Sequence, residues 1–399
     1  MKQRLQFIPI IILFLFLCSS SSVQANEEEK DLSETLSPQE LVDAQLNTLD
    51  LTDIKQYWED VQNKYGGFLP ESQKGSIYEF IKGDKQFSFK EWGTSLLKFL
   101  FHEFVANGKL LGSLILLTVF SMFLQTMQNA FESSTISKVA YSIVYMVLVI
   151  LALNSFYVVI QYTNEAIGSM ISFVLALIPL LLALIASSGG LISAAFFHPV
   201  ILFLMNVSGI FMQYIILPLL FLATLLSIVS TMSDQYKVTQ LAQLLRNWSI
   251  GLMGLFLTVF LGVISVQGAS AAITDGVAIR TAKFVTGNFI PVIGRIFTDA
   301  ADTVVSASGL LKNTVGIAGV AILLIIVAFP AFKILMISFI YKFAAAILQP
   351  LGGGPVIKCL DIISKSVIYV FAALGIVSLM FFLSVTVIIA AGNLTMMMR

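Results

Sequence analysis

AIGSMISFVLALIPLLLALIAS, Ala166–Ser187, opens a run that continues to Ser233 without one Asp, Glu, Lys or Arg. His198 is the only side chain in these 68 residues that titrates near neutral pH. An apolar run of about 20 residues already crosses the roughly 30 Å hydrocarbon core of a bilayer. The stretch therefore has length for two or three crossings, and the chain reads as a polytopic membrane protein.

Composition agrees. The chain is 57% hydrophobic and 12% charged, where soluble domains carry about 25% charged residues. A net charge of zero conceals a division. Between Glu27 and Glu103 there are 16 acids and eight lysines, whereas from Leu110 onward there are seven acids and twelve bases. An acidic, hydrophilic segment thus precedes a sparsely charged, slightly basic membrane domain. Cys18 and Cys359 are too few for a disulfide framework or a thiolate metal site.

The amino terminus has the pattern of a secretory signal. Lys2 and Arg4 precede the apolar run Phe7–Leu17, and Val23-Gln24-Ala25 places small residues at −3 and −1. We divide the chain into a signal peptide (1–25), an exported acidic helical segment (26–107) and a multi-span membrane domain (108–399). In the exported segment, Ser37-Pro38-Gln39-Glu40 and Ser88-Phe89-Lys90-Glu91 are capping boxes. Ile54, Tyr57, Trp58 and Val61 form one helical stripe that ends at Gly66-Gly67. Trp92, Leu96 and Phe99 share a face of the last exported helix. That face suits the segment's own core, the membrane interface or a partner protein.

Apolar windows predict crossings at 110–128, 139–160, 166–186, 248–266, 315–332 and 366–391, with one or two more in 191–231. The expected fold is all-α, a polytopic transmembrane helical bundle of seven or eight spans. Glu165 is expected in a solvated loop. With the amino terminus exported and eight crossings, Lys138, Lys237, Arg246, Lys342, Lys358 and Lys365 fall in the cytoplasm, as the positive-inside rule favours; Arg280, Lys283, Arg295 and Lys312 do not.

Two stretches depart from simple spans. Residues 269–312 mix small residues with isolated charges, which suits an interfacial or re-entrant helix pair or a helix facing water. Residues 334–348 are short and end at Gln349-Pro350-Leu351-Gly352-Gly353-Gly354-Pro355. Pro350, Gly352, Gly353, Gly354 and Pro355 break a helix, either as a loop or as irregular backbone lining a cavity. Asn154 and Asn206 sit within apolar runs and suit either an interhelical hydrogen bond or a path lining. His198, before Pro199, suits a helix start or a proton handler. Pro179 and Pro291, like Pro218 and Pro330, lie 112 residues apart, suggesting a weak duplication of 166–275 in 278–392.

Phosphate-binding, dinucleotide-binding and nucleophile-elbow glycine motifs are missing from the sequence, and His102-Glu103 lacks the second histidine of a zincin helix. Two histidines and one cysteine beyond the signal are too few for a zinc or iron site. No catalytic residue, cofactor, metal or nucleic-acid partner is assigned, and the chain is not expected to be an enzyme.

Several segments carry a resemblance: Leu69–Gly75, His102–Gly112, Ser137–Tyr145, Phe196–Pro199, Tyr236–Leu241, Gly262–Gly268, Leu348–Pro355 and Asn393–Met398. Together they resemble the stage III sporulation protein AE family across residues 60–399. The resemblance implies an endospore former and a multi-pass protein of the mother-cell membrane that engulfs the forespore. Its exported segment would face the intermembrane space. It also implies partnership with other membrane proteins of the stage III complex, a channel apparatus that connects the two cells and supports late forespore development. The chain would act by assembly and could form part of the membrane passage. The alternative from the residues alone is a self-sufficient secondary transporter for a small solute.

Overall fold

A computed structural model describes residues 51–71, 74–75, 79, 88–130, 135–232, 237–289, 293–351 and 354–397. The signal peptide, the Ser37 capping box, Pro291, Gly352 and Gly353 lie outside them. The described residues fold as helices with no strand among them. Among the described residues, two helices precede the bundle: α1 (Thr52–Tyr65) and α2 (Phe89–Ala106). Seven follow: α3 (Gly108–Ala130), α4 (Thr135–Ser187), α5 (Leu191–Phe211), α6 (Leu217–Met232), α7 (Thr239–Phe289), α8 (Ile293–Leu348) and α9 (Pro355–Met397). A five-residue π-helical turn, Met212–Ile216, joins α5 to α6 without a break.

Six of these helices, counting α5–α6 as one, are long and apolar enough to cross a membrane. That is fewer than the seven or eight expected, and the reason is continuity. Residues 139–186 form one helix of α4 rather than two spans, because Gln161-Tyr162-Thr163-Asn164-Glu165 contains neither proline nor glycine to stop it. Glu165 therefore lies within a helix, not a loop. Residues 191–231 also make one helix. Its π turn lies just ahead of Pro218, where the missing proline N–H interrupts the ladder in any case. Residues 269–312, expected as an interfacial or re-entrant helix pair or a helix facing water, are helical in the far portion of α7 and the first portion of α8, and 334–348 is the end of α8. At 1.5 Å per residue, α3 is about 35 Å long, while α4 and α8 exceed about 75 Å.

The bundle is organised around α9, which packs along α8, α4 and α7. Leu360, Ile363, Val367, Val370, Leu374, Val377 and Phe381 of α9 are wholly buried and alternate spacings of three and four. That is the seam of a left-handed helical bundle. On the helices packed along it, Val174, Leu177, Ile178 and Leu181 of α4 and Ile334 and Ile340 of α8 are also wholly buried. Small residues bring the axes close: an added Cβ on Gly319 of α8 would meet Leu177 Cδ2 at 2.5 Å. Between α8 and α9, the Ser338 hydroxyl donates to the Ser364 carbonyl at 2.9 Å, and the Ser364 hydroxyl donates to the Ser338 carbonyl at 3.0 Å. The α4–α5 connection turns at Gly189, whose φ of 90° is open to glycine at no steric cost.

Candidate functional site at the junction of the amino-terminal helices and the bundle

The helices α1 and α2 do not stand apart from the bundle. Ile54, Trp58 and Val61 turn the predicted stripe of α1 inward and are buried. Tyr57, half-buried, meets Phe173 of α4 edge-on at 5.8 Å. The loop beyond α1 is tied back by the Trp58 indole and the Gln62 amide, which both donate to the Gly75 carbonyl, at 2.8 and 2.6 Å. At the start of α2, the Ser88 hydroxyl accepts from the Glu91 N–H at 3.5 Å, as the capping box predicts. Trp92 and Phe99 are buried, and Leu96 is half-buried.

Phe99 shows what that face packs against. Its ring meets Phe329 of α8 edge-on at 4.9 Å and Phe68 at 5.2 Å. Tyr65 stacks on Phe329 at 4.2 Å with an interplanar angle of 9°. Aromatic pairs of this kind add about 0.5–1.5 kcal/mol each beyond the area they bury. They clamp both amino-terminal helices to the middle of α8.

Beside this clamp lies a cavity of about 410 Å³ lined by α1, α4 and α8. Asp60, Lys64 and Tyr65 come from α1, Tyr162 and Glu165 from α4, and Pro330 and Lys333 from α8. Lys333 is held from two sides. Its ammonium lies 3.9 Å from Glu103 Oε1 of α2 and 4.2 Å from the centre of the Tyr162 ring. Glu103 is 8% exposed, and its other oxygen accepts from the Asn107 amide at 3.2 Å. Burial, with the negative charge of Glu103 and Glu165 nearby, pushes the Tyr65 phenol up to about 12. Pro330 removes the N–H that the Ile326 carbonyl would otherwise bond, and both residues line the cavity. The Gln213 amide in the π turn donates to the Asn164 carbonyl at 3.1 Å, next to Glu165.

The other sequence-derived candidates lie elsewhere. Asn154 is exposed on α4. Asn206 is exposed on α5, and its amide donates to the Leu202 carbonyl of its own helix at 3.3 Å. His198 is exposed in the third turn of α5, not at a helix start. Pro350 is exposed in the single 3-10 turn after α8, and Pro355 opens α9. Gly354 is buried, and a Cβ there would come within 3.1 Å of Gln125 Oε1 on α3. Among the described residues no three His, Cys, Asp or Glu side chains gather as metal ligands would. Sequence reasoning missed Glu103, Tyr162 and Lys333. The available signal was Lys333 itself, a lone charge between apolar segments, which at such depth calls for a partner.

The family model for stage III sporulation protein AE matches residues 72–392. The stage III sporulation protein AE of Bacillus subtilis (strain 168) is 66% identical over 400 residues, covering the whole of both chains. No solved structure matches. Family-model coverage of most of the bundle, with two-thirds identity along the full length, places the chain: it belongs to the stage III sporulation protein AE family.

Proposed function

We propose that the chain is a mother-cell membrane component of the apparatus that joins mother cell and forespore, and that it works by assembly rather than as a transporter complete in itself. In this reading α1 and α2 lie on the extracytoplasmic side, facing the space between the two membranes. The six long helices carry the chain across the mother-cell membrane that engulfs the forespore. Its partners are other membrane proteins of the stage III complex.

One observation carries the preference for assembly. Where α4, α8 and α9 pack together, each carries wholly buried apolar side chains, among them Val174 to Leu181, Ile334 and Ile340, and Leu360 to Phe381. Such a core resists hydration. A passage to which this chain contributes is then formed between chains, not along the axis of one. The charged cavity around Lys333 supports a fixed junction, since its cation is already bound by Glu103 and the Tyr162 ring.

Purified protein in sealed liposomes tests the choice. Efflux of entrapped amino acids, nucleotides and phosphate should equal that of empty liposomes, with and without a proton gradient. Gradient-driven uptake of any one solute by the protein alone would favour the secondary transporter.

A further inference from the structure

Opposite in character to the junction cavity is a second one, of about 430 Å³, where α6 ends and α7 and α9 begin. Lys237, just ahead of α7, Arg246 of α7, and Lys358 and Lys365 of α9 line it, with Asp361 as the acid among the described lining residues. That acid is already shared: Lys365 pairs with one carboxylate oxygen at 2.7 Å and Lys342 of α8 with the other at 2.5 Å. Among the described residues, Arg246, Lys342, Lys358 and Lys365 therefore share a single carboxylate. Like charges held this close repel, so the fold leaves a positive excess that an anion would offset.

The cavity's geometry suits a phosphate. Arg246 is half-buried, with its guanidinium over the Tyr369 ring, 5.6 Å from its centre. The hydroxyls of Ser230 and Thr239, hydrogen-bonded to each other at 2.7 Å, line the same space. The starts of two helices, Thr239 of α7 and Pro355 of α9, border it and add the positive ends of their dipoles. Its depth suits a lipid. The cavity lies where the apolar segments Leu191–Met232, Thr239–Gly268 and Pro355–Ala390 end.

We propose that this cavity is a phosphate-binding site, and that the bilayer fills it with the headgroup of an anionic phospholipid. Basic cavities between membrane helices at the bilayer surface recognise such headgroups, with each Lys or Arg worth roughly a fivefold change in affinity. The proposal goes beyond the sporulation reading and depends only on the chain crossing a membrane.

The test uses the full chain purified in a neutral detergent. Thermal stability is followed while phosphatidylglycerol, phosphatidylcholine, or free glycerol phosphate is titrated in. Phosphatidylglycerol should raise the unfolding temperature saturably, and phosphatidylcholine should not. In the double variant R246Q/K358Q the apparent affinity for phosphatidylglycerol should fall about 25-fold. The control K98Q/K109Q, on exposed bases of α2 and α3, should keep wild-type affinity. Equal response to both lipids, or an unchanged affinity in R246Q/K358Q when that variant unfolds at the wild-type temperature without lipid, would overturn the site. A response to millimolar glycerol phosphate as large as that to phosphatidylglycerol would overturn the lipid as its source. If R246Q/K358Q fails to fold, K358Q alone provides the same comparison with a fivefold expected loss.

Discussion

Lys333 of α8 reaches Glu103 of α2 across 3.9 Å, and this contact joins a helix that precedes the first membrane-spanning helix to the middle of the second-last. Glu103 is the more buried partner, at 10% side-chain exposure against 31% for Lys333. Removing Lys333 leaves a buried carboxylate without its cation, which costs more than the pair itself contributes. Lys333→Met should lower stability by about 1–3 kcal/mol, a range reduced because Lys333 keeps contact with solvent. Adding Glu103→Gln should recover most of the loss. A thermal-unfolding double-mutant cycle in detergent measures both, and additive losses would remove the coupling.

The paired serines of α8 and α9 make a second, independent bond between long helices. Because each hydroxyl serves the other helix's carbonyl, Ser338→Ala and Ser364→Ala should each cost about 0.6–1.7 kcal/mol. The double variant should cost less than the sum of the two singles. Differential scanning fluorimetry of the four proteins gives the coupling energy.

Close approach at Gly319 makes a steric prediction. Leu177, which an added Cβ would strike, is wholly buried and has nowhere to move. Gly319→Ala should therefore destabilise by about 1–3 kcal/mol, and Leu177→Ala in the same chain should relieve part of it. Gly251→Ala is the contrast. An added Cβ there meets nothing within 4 Å, and replacing a mid-helix glycine should stabilise by up to about 1 kcal/mol. Equal behaviour of the two alanine variants would contradict the packing of α8 on α4.

Gly354 extends the same reasoning to the loop before α9. A side chain there would press on Gln125 where the end of α3 meets the start of α9. Gly354→Val should reduce accumulation in the membrane, while Pro350→Ala, at an exposed position, should not. Immunoblots of membrane fractions compare them.

Much of this architecture was legible in the sequence, though not its connectivity. The charge-free run from Ala166 to Ser233 established the membrane class, and Ser88 and Glu91 marked the start of α2. The stripe Ile54-Trp58-Val61 marked the inward face of α1. Periodicity within one helix, however, carries no information about which helix it meets. The cavity around Lys333 draws on residues near 60, 103, 162 and 333, so no local window contains it. Fewer separate apolar helices are present than the spans expected, because Glu165, expected in a loop, lies in a stretch with no proline or glycine to interrupt α4. That Lys342 and Lys365 converge on Asp361 could not be read from charge counting and required the fold.

The central claim, that this chain serves sporulation from the mother-cell membrane, is tested most directly by replacement. The gene for the Bacillus subtilis relative is exchanged for one encoding this chain, fused to a fluorescent protein and expressed only in the mother cell. Heat-resistant spores are counted after a full sporulation cycle, with protein level checked by immunoblot. The account predicts spore counts within about tenfold of the parent strain and fluorescence concentrated in the membrane around the forespore. Spore counts at the level of the deletion strain, with the fusion present in that membrane at parental abundance, would contradict it.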